Sequence, residues 1–246
     1  MDQPFSTQRF NFTKLGVNEI IMDIGDGSGE DIIAINVSPL ESYHSLLLTQ
    51  RFQQLPQVMT EHSLRTAVTL FSLSYSPYLR LAFNSLCAHA SVNHLHWHLY
   101  YLKEKMLLED IDLEDYIGPV KLLKNYPGKG FCIKYSSAQT INNLITCTLL
   151  IVNYLQKKQI AHNVYITRAT NDYVKEEYKD LRIYIWGRKS HKGVKDTCAF
   201  IPAVCELFGH LSIRSEEAYA KLTEDYVADI LKDITEDIFS STIEEV

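Results

Sequence analysis

The sequence has little that would place it in a membrane or in an oxidising compartment. Its longest apolar stretch, from Leu144 to Leu155, is interrupted by threonine and asparagine and is too short to cross a bilayer. The opening residues 1–4 are polar and lack the basic and then apolar pattern of a secretion signal. The five cysteines show no paired spacing, and their odd number argues against a set of disulfides. We therefore expect a cytoplasmic protein that does not bind to membranes.

The charged residues are ordinary in number but unevenly distributed. The 246 residues are 46% hydrophobic and 22% charged, which is typical of a soluble globular protein of one large or two smaller domains. Residues 1–110 contain 7 Lys and Arg against 11 Asp and Glu, residues 111–215 contain 15 against 9, and residues 216–246 contain 2 against 10. A basic middle in a protein of net charge −6 favours a small anionic ligand over a nucleic acid, although an ordinary solvated surface fits the counts equally well.

Hydrophobic periodicity predicts an α+β protein, with packed helices on an antiparallel sheet. The first half, residues 1–110, has strand patterns at 18–24, 31–37, 44–48, 79–86 and 93–102 and a helical pattern at 55–74. The second half, residues 111–246, has strand patterns at 131–135, 162–168 and 181–186 and helical patterns at 140–159, 200–211 and 215–239. The repeated order of helix, strand, strand and helix indicates two related halves that share one sheet or a tight interface.

A glycine-rich segment at residues 25–30 lies between the first two predicted strands. Such a segment can bind a phosphate when a helix follows and a lysine closes the motif. Here neither is present, and the acidic side chains of the segment would repel a phosphate. We therefore expect a hairpin connection.

Three histidines at alternate positions, His94, His96 and His98, are the most informative feature of the chain. The valine, leucine, tryptophan and tyrosine residues around them favour a strand. Side chains at every second position of a strand lie on the same face. We therefore expect the three imidazoles to line one face of the sheet, with Leu95 and Trp97 on the other.

Three aligned imidazoles are rarely explained by packing alone, and they suit a metal ion, a phosphate group or both. A His-x-His pair on a strand is a good zinc chelate. The next acidic residues, Glu104, Glu109 and Asp110, are poorly placed to complete a metal site, so we expect no metal. Attack on phosphorus instead needs one neutral imidazole whose tautomer is fixed by a backbone acceptor, with hydrogen-bond donors around the phosphoryl oxygens.

The residues around the triplet suit this phosphorus chemistry. His96 is the middle histidine and the best placed nucleophile. Ser91 and Asn93 precede the triplet and can supply hydroxyl and amide donors. His98 can donate a hydrogen bond to a phosphoryl oxygen or to the leaving group.

The segment from His94 to Tyr100 resembles the histidine-triad signature His-φ-His-φ-His-φ-φ, in which φ is apolar; a serine at the position of Ser91 is also common. Further segments are similar to the GDP-D-glucose phosphorylases, which are related to GDP-L-galactose phosphorylases and galactose-1-phosphate uridylyltransferases. They are Phe10–Lys14, Ile35–Glu41 with His44, Phe83–Leu86, Ala90–His96, Ile160–Asn163, Trp186–Ser190, Gly193–Asp196 and Cys205–Leu211. The family pattern also leads us to expect an aliphatic residue where Trp97 stands, glycine where Leu99 stands and glycine where Tyr43 stands.

This resemblance implies a histidine-triad-like fold and an enzyme that moves GMP from GDP-glucose to inorganic phosphate, releasing glucose 1-phosphate. It implies that His96 becomes guanylylated between His94 and His98, with no cofactor. Asn84 would contact the nucleotide or be structural. Four basic residues would bind the sugar phosphate or the incoming phosphate, or form a solvated loop: Arg188, Lys189, Lys192 and Lys195. Lys195 has the better claim, because it lies inside a family-like motif.

Three alternative functions remain open. Water could replace phosphate as the acceptor, which would make the protein a histidine-triad nucleotide hydrolase. The protein could bind GDP-sugars without catalysis, because only nine residues precede Phe10, or it could bind zinc. We expect GDP-glucose and phosphate as ligands, no nucleic acid, and a homodimer as a possible assembly.

Overall fold

The computed structural model describes residues 3–170, 178–191 and 199–246, in which ten strands and six α-helices are found. The strands are β1 (Ile20–Asp23), β2 (Ile32–Ile35), β3 (Ser45–Leu48), β4 (Leu79–Asn84), β5 (His96–Tyr101), β6 (Glu114–Asp115), β7 (Val120–Leu123), β8 (Gly130–Lys134), β9 (Ala161–Ala169) and β10 (Asp180–Arg188). The helices are α1 (Glu61–Leu73), α2 (Tyr135–Ala138), α3 (Ile141–Lys157), α4 (Val204–Leu207), α5 (Glu216–Lys221) and α6 (Glu224–Ile243).

All of these strands form one antiparallel sheet, in the order β1-β2-β3-β5-β4-β9-β10-β8-β7-β6. The first half reads 1-2-3-5-4 from its edge, and the second half reads 6-7-8-10-9 from the opposite edge. In each half, three strands in sequence are followed by helix (α1 in the first half, α2 and α3 in the second) and then by two more strands. The halves therefore have the same topology, and β4 pairs with β9 to join them.

One face of the sheet is covered by α1 and α3. The apolar sides of these helices, including Phe71 and Val152, are buried against the strands. Leu95 and Trp97 belong to the same core and are at most 1% exposed, which confirms their expected direction away from the histidines.

The opposite face carries His96 and His98 between two apolar clusters. One cluster belongs to the first half and consists of Phe12, Ile32, Ala34, Leu46 and Leu48. The other spreads over β4, β5, β9 and β10 around Tyr100, Tyr165, Tyr184 and Trp186. The register aligns His98, Ala82, Tyr165 and Tyr184 across four adjacent strands, so their side chains share this face.

Several predicted element boundaries were wrong. Helix α1 begins at Glu61 and not at Leu55, because the Thr60 hydroxyl accepts from the Ser63 amide and caps the helix there. Of the helix predicted at 200–211, only α4 forms. The helix predicted at 215–239 is broken before α6, where Thr223 adopts an extended conformation and caps a new helix. Strands β6 and β7 were not predicted.

The glycine-rich segment is a hairpin connection between β1 and β2, as expected. The Asp23 carboxylate accepts from the amides of Gly29, Gly25 and Gly27, and these bonds lower the pKa of Asp23. The amide groups that a phosphate would need are therefore already bound to a carboxylate of the chain.

Among the residues that the structure describes, no helix is both long enough and apolar enough to cross a bilayer.

Candidate active site

His96 is held in a single tautomer by its own strand. Its Nδ1 lies 2.7 Å from the backbone oxygen of His94. A carbonyl oxygen only accepts, so Nδ1 carries the proton and Nε2 carries the lone pair. No hydrogen bond to Nε2 is found among the described residues. The backbone acceptor that we expected for a nucleophilic imidazole is thus present at the middle histidine.

Burial keeps the His96 imidazole neutral. The residue is 2% exposed, and desolvation lowers its pKa to about 4. Phe12 packs edge-on against the ring, at 5.1 Å between the ring centroids. At neutral pH the lone pair on Nε2 is therefore available for attack.

His98 is oriented by a fourth histidine, His44, on the neighbouring loop. The Leu40 amide donates to Nδ1 of His44 at 3.0 Å, so the His44 proton is on Nε2. That Nε2 lies 3.0 Å from Nδ1 of His98 and 3.0 Å from Nδ2 of Asn36. Because an amide nitrogen cannot accept a hydrogen bond, the acceptor of the His44 proton is Nδ1 of His98. The proton of His98 must then be on Nε2, which makes His98 a donor beside His96, at 5.2 Å between the ring centroids.

His94 precedes β5, which begins only at His96, so the prediction of a strand from residue 93 was wrong. Both nitrogens of the His94 ring are bound to backbone: the Phe12 amide donates to Nδ1, and Nε2 donates to the Arg51 oxygen, each at 3.0 Å. The ring is also stacked on Phe12 and is 1% exposed. His94 therefore binds the segments that contain Phe12 and Arg51, and neither of its ring nitrogens is free to contact a substrate.

Gln57 is the residue of this site that the sequence did not reveal. The pairing of β4 with β5 ends at Ala82, which lies opposite His98. If the same register continued for two more residues, Asn84 would lie opposite His96. The Gln57 amide lies there instead: Nε2 donates to the backbone oxygens of Asn84 and His96, and Oε1 accepts from the His96 amide at 2.9 Å. A buried side chain thus fixes the backbone of the candidate nucleophile where the two strands separate.

The side chains predicted to bind phosphate differ in the hydrogen bonds that they already make within the protein. Ser91 is exposed and lines a cavity of about 790 Å³ beside the N-terminal segment. Asn93 lines the same cavity, but its amide donates to the oxygens of residues 3 and 4 and accepts from the Gln57 amide. Asn84 accepts from Asn163 and from the amide of Val204. Lys195 lies outside the described residues.

Tyr43, which precedes His44, has a φ of 62°, a left-handed conformation that favours glycine. The expectation of glycine at this position therefore has a conformational reason. The Tyr43 side chain is 83% exposed.

Within the described part of the chain, no group of three or more histidine, cysteine, aspartate or glutamate residues is arranged to hold a metal ion. The hydrogen bonds of the triplet give a reason. Both ring nitrogens of His94 are bound to backbone, and Nδ1 is already bound in His96 and in His98. Two nitrogens, Nε2 of His96 and Nε2 of His98, are then left for a ligand.

The buried histidines make a prediction about stability and pH. Burial lowers the pKa of His96 and of His162 to about 4, against about 6.5 in an unfolded chain. The folded protein thus binds fewer protons than the unfolded chain between these values, so stability is fully present above about pH 6.5 and is lost as the pH falls toward 4. Each such group changes the free energy of unfolding by up to about 1.4 kcal/mol per pH unit. Urea unfolding at pH 7, 6 and 5 should show falling midpoints, with a shallower dependence in His162→Phe; equal midpoints would contradict this.

Comparison with known proteins places this geometry in a family. The model of the GDPGP1-like N-terminal domain matches residues 1–100, and that of the GDPGP1-like C-terminal domain matches residues 112–244. The chain belongs to the GDPGP1-like family. Its resemblance to GDP-D-glucose phosphorylases, inferred from the motifs, is thereby confirmed.

Proteins from animals and plants are similar to this chain over almost its whole length. GDP-D-glucose phosphorylase 1 of Homo sapiens is 35% identical over 245 residues, which cover 94% of this chain and 64% of the relative. GDP-L-galactose phosphorylase 2 of Arabidopsis thaliana is 28% identical over 270 residues, which cover 95% of this chain and 59% of the relative. The chain thus spans less than two thirds of the length of these relatives.

A solved structure confirms the α+β, histidine-triad-like fold. The yeast Ap4A phosphorylase Apa2, in complex with Ap4A, superposes with a TM-score of 0.69 at 17% identity, over 91% of this chain and 79% of that structure.

Proposed function

We propose that this chain is a GDP-D-glucose phosphorylase that works through a guanylylated His96. The observation that carries the proposal is the fixed tautomer of His96, in which Nδ1 donates to the His94 oxygen and Nε2 is unprotonated. The names of the animal relatives support GDP-glucose as the substrate.

In the first half-reaction, Nε2 of His96 attacks the α-phosphorus of GDP-glucose. The bond from this phosphorus to the oxygen that bridges the two phosphates breaks, and glucose 1-phosphate leaves with the bonding electrons. His98 donates a hydrogen bond from Nε2 to the departing or non-bridging oxygen, because His44 holds its other nitrogen. GMP remains on His96 through a phosphorus–nitrogen bond.

In the second half-reaction, an oxygen of inorganic phosphate attacks the same phosphorus. The phosphorus–nitrogen bond breaks, the electron pair returns to Nε2 of His96, and GDP is released. His96 ends the reaction in the same tautomer in which it began, because Nδ1 keeps its proton throughout. Ser91, on the rim of the cavity, supplies a hydroxyl to the phosphoryl oxygens.

Mass spectrometry of the protein mixed with GDP-glucose in phosphate-free buffer tests the proposal. We expect a mass increase of one guanylyl group on the wild type, its absence in His96→Ala, and its persistence in His62→Ala, whose side chain is on the surface. Adding phosphate should discharge the adduct and yield GDP.

The requirement for phosphate as the acceptor of GMP distinguishes a phosphorylase from a hydrolase, which uses water. Release of GMP at the same rate with and without phosphate would identify a hydrolase, and binding of GDP-glucose without any adduct would identify a non-catalytic relative. Self-association stays a prediction, which sedimentation of the purified chain would test.

A further inference from the structure

Arg188 is a buried arginine that has no carboxylate within 4 Å among the described residues. It is 3% exposed, and burial lowers its pKa to about 10. Its Nε and Nη1 donate to the backbone oxygens of Lys189 and Pro202, which are neutral. Glu206 is near enough to act on the Arg188 charge, but its oxygens accept from backbone amides, including that of Ala203. A buried guanidinium that no carboxylate of the described residues contacts directly suits an anionic ligand.

His89 lies beside this arginine in an unusual conformation. Its φ is 73°, a region that residues other than glycine seldom adopt and that is often found at functional sites. Its Nε2 is buried without a hydrogen-bond partner. The ring lies 4.2 Å from that of His191, and burial, followed by the charge of Arg188, lowers the pKa of His89 to about 3. A buried imidazole without a partner is costly unless a ligand satisfies it.

These three side chains line a cavity of about 610 Å³ between the end of β10, the segment 200–202 and α6. His89 and His191 also line the cavity of about 790 Å³ that contains Ser91. The two cavities therefore meet at His89. Two acidic side chains of α6, Asp229 and Asp233, also line the cavity, and Asp233 is paired with Lys189 at 2.9 Å. Arg214 adds a second arginine to the lining beside Arg188.

Arg188 lies on the triad face of the sheet. It follows Trp186 and Tyr184 at alternate positions of β10, and Tyr184 shares its face with His98 through the register. Strand β10 is three strand spacings, or about 14 Å, from β5. Arg188 and the triad therefore extend from the same face of the sheet, and the cavity that Arg188 lines meets the cavity of Ser91 at His89.

We propose that Arg188, His89 and His191 form a phosphate subsite next to the phosphorus that His96 attacks. The inference rests on the proposed function, because the same subsite would hold the β-phosphate of GDP-glucose, the departing glucose 1-phosphate and the incoming phosphate in turn. Its ligand is a phosphate dianion, bound by the guanidinium and by ring N–H groups.

Calorimetric titration with inorganic phosphate alone tests the subsite. We expect Arg188→Met to raise the dissociation constant at least about tenfold, since it removes a charge-assisted bond. Lys221→Met is the matched control: it removes an equal charge, but Lys221 is exposed on α5, paired with Glu217, and does not line the cavity, so the constant should change less than twofold. His89→Asn, which tolerates the left-handed backbone, should weaken binding without the risk of misfolding that attends the arginine variant.

The same titration with glucose 1-phosphate identifies the source of the phosphate. Loss of affinity for both ligands in Arg188→Met supports one subsite for both, and loss for only one assigns the subsite to that ligand. Phosphate affinity unchanged in both Arg188→Met and His89→Asn, or no phosphate binding to the wild type, would overturn the inference. Failure of the proposed function has a different signature, because phosphate would then bind through Arg188 while GDP-glucose formed no adduct on His96.

Discussion

Replacing His96 by asparagine should lower turnover of GDP-glucose by at least about 10⁴-fold, the scale on which enzymes lose activity when a nucleophile is removed. Asparagine has no lone pair comparable to that of Nε2, so no phosphorus–nitrogen bond can form. Stopped-flow or discontinuous assay of glucose 1-phosphate release measures the loss. The folded fraction should be verified by circular dichroism, because His96 is almost fully buried.

The matched variant is His94→Asn, which changes a histidine two residues earlier in the same motif. It removes the bonds to the Phe12 amide and the Arg51 oxygen, each of which contributes about 1 kcal/mol or more when buried. We expect it to lower the free energy of unfolding by about 2–4 kcal/mol, yet to form the guanylyl adduct whenever it is folded. A folded His94→Asn protein without an adduct would show that His94 takes part in the chemistry.

The alternating histidines allowed part of this site to be predicted from the sequence. Alternation on a strand placed His96 and His98 on one face and Trp97 on the other, because the pleat alone decides these directions. The strand begins only at His96, but the His94 ring also packs on Phe12, so it lies on the same side as His96 although it is outside the strand. Where a strand begins depends on its neighbours, here on Gln57, and not on the local sequence.

The residues that orient the triad could not have been assigned from the sequence. His44 reaches His98 from 54 residues away, and Gln57 reaches His96 from 39 residues away. Neither has a local periodicity that marks its role, since each acts through one tertiary contact. His44 was named only as part of a family-like motif, which gave its importance without its partner.

The order of helices and strands in the sequence suggested the repeated topology. The register of the strands is needed to see that the two halves carry different side chains at corresponding positions. Strand β10 occupies in the second half the place of β5 in the first. On the triad face it carries Arg182, Tyr184 and Trp186, and Arg182 donates to the backbone oxygens of Leu108 and Ile111. The segment around Leu108 and Ile111 is thus bound on β10 at the place that corresponds to the histidines of β5, and the histidine triplet lies in the first half alone.

Replacing Gln57 by methionine should be the most disruptive change at a residue that does not touch the substrate. Methionine fills a similar volume, but it cannot make the hydrogen bonds of the Gln57 side chain to the His96 amide and to two backbone oxygens. Gln57 is 1% exposed, so water cannot easily replace these bonds. Each unsatisfied buried group costs about 1–3 kcal/mol, so we expect the free energy of unfolding to fall by about 3 kcal/mol or more. Urea unfolding measures this directly.

Turnover should fall further than the loss of folded protein explains, because Gln57 fixes the backbone from which the His96 ring projects. We expect kcat to decrease with little change in the KM for GDP-glucose, since a displaced nucleophile affects the transition state more than binding. Gln53→Met, a similar change at an exposed glutamine four residues earlier, should change stability by less than about 0.5 kcal/mol and leave kcat unaltered. A stable and fully active Gln57→Met protein would show that strand pairing alone positions His96.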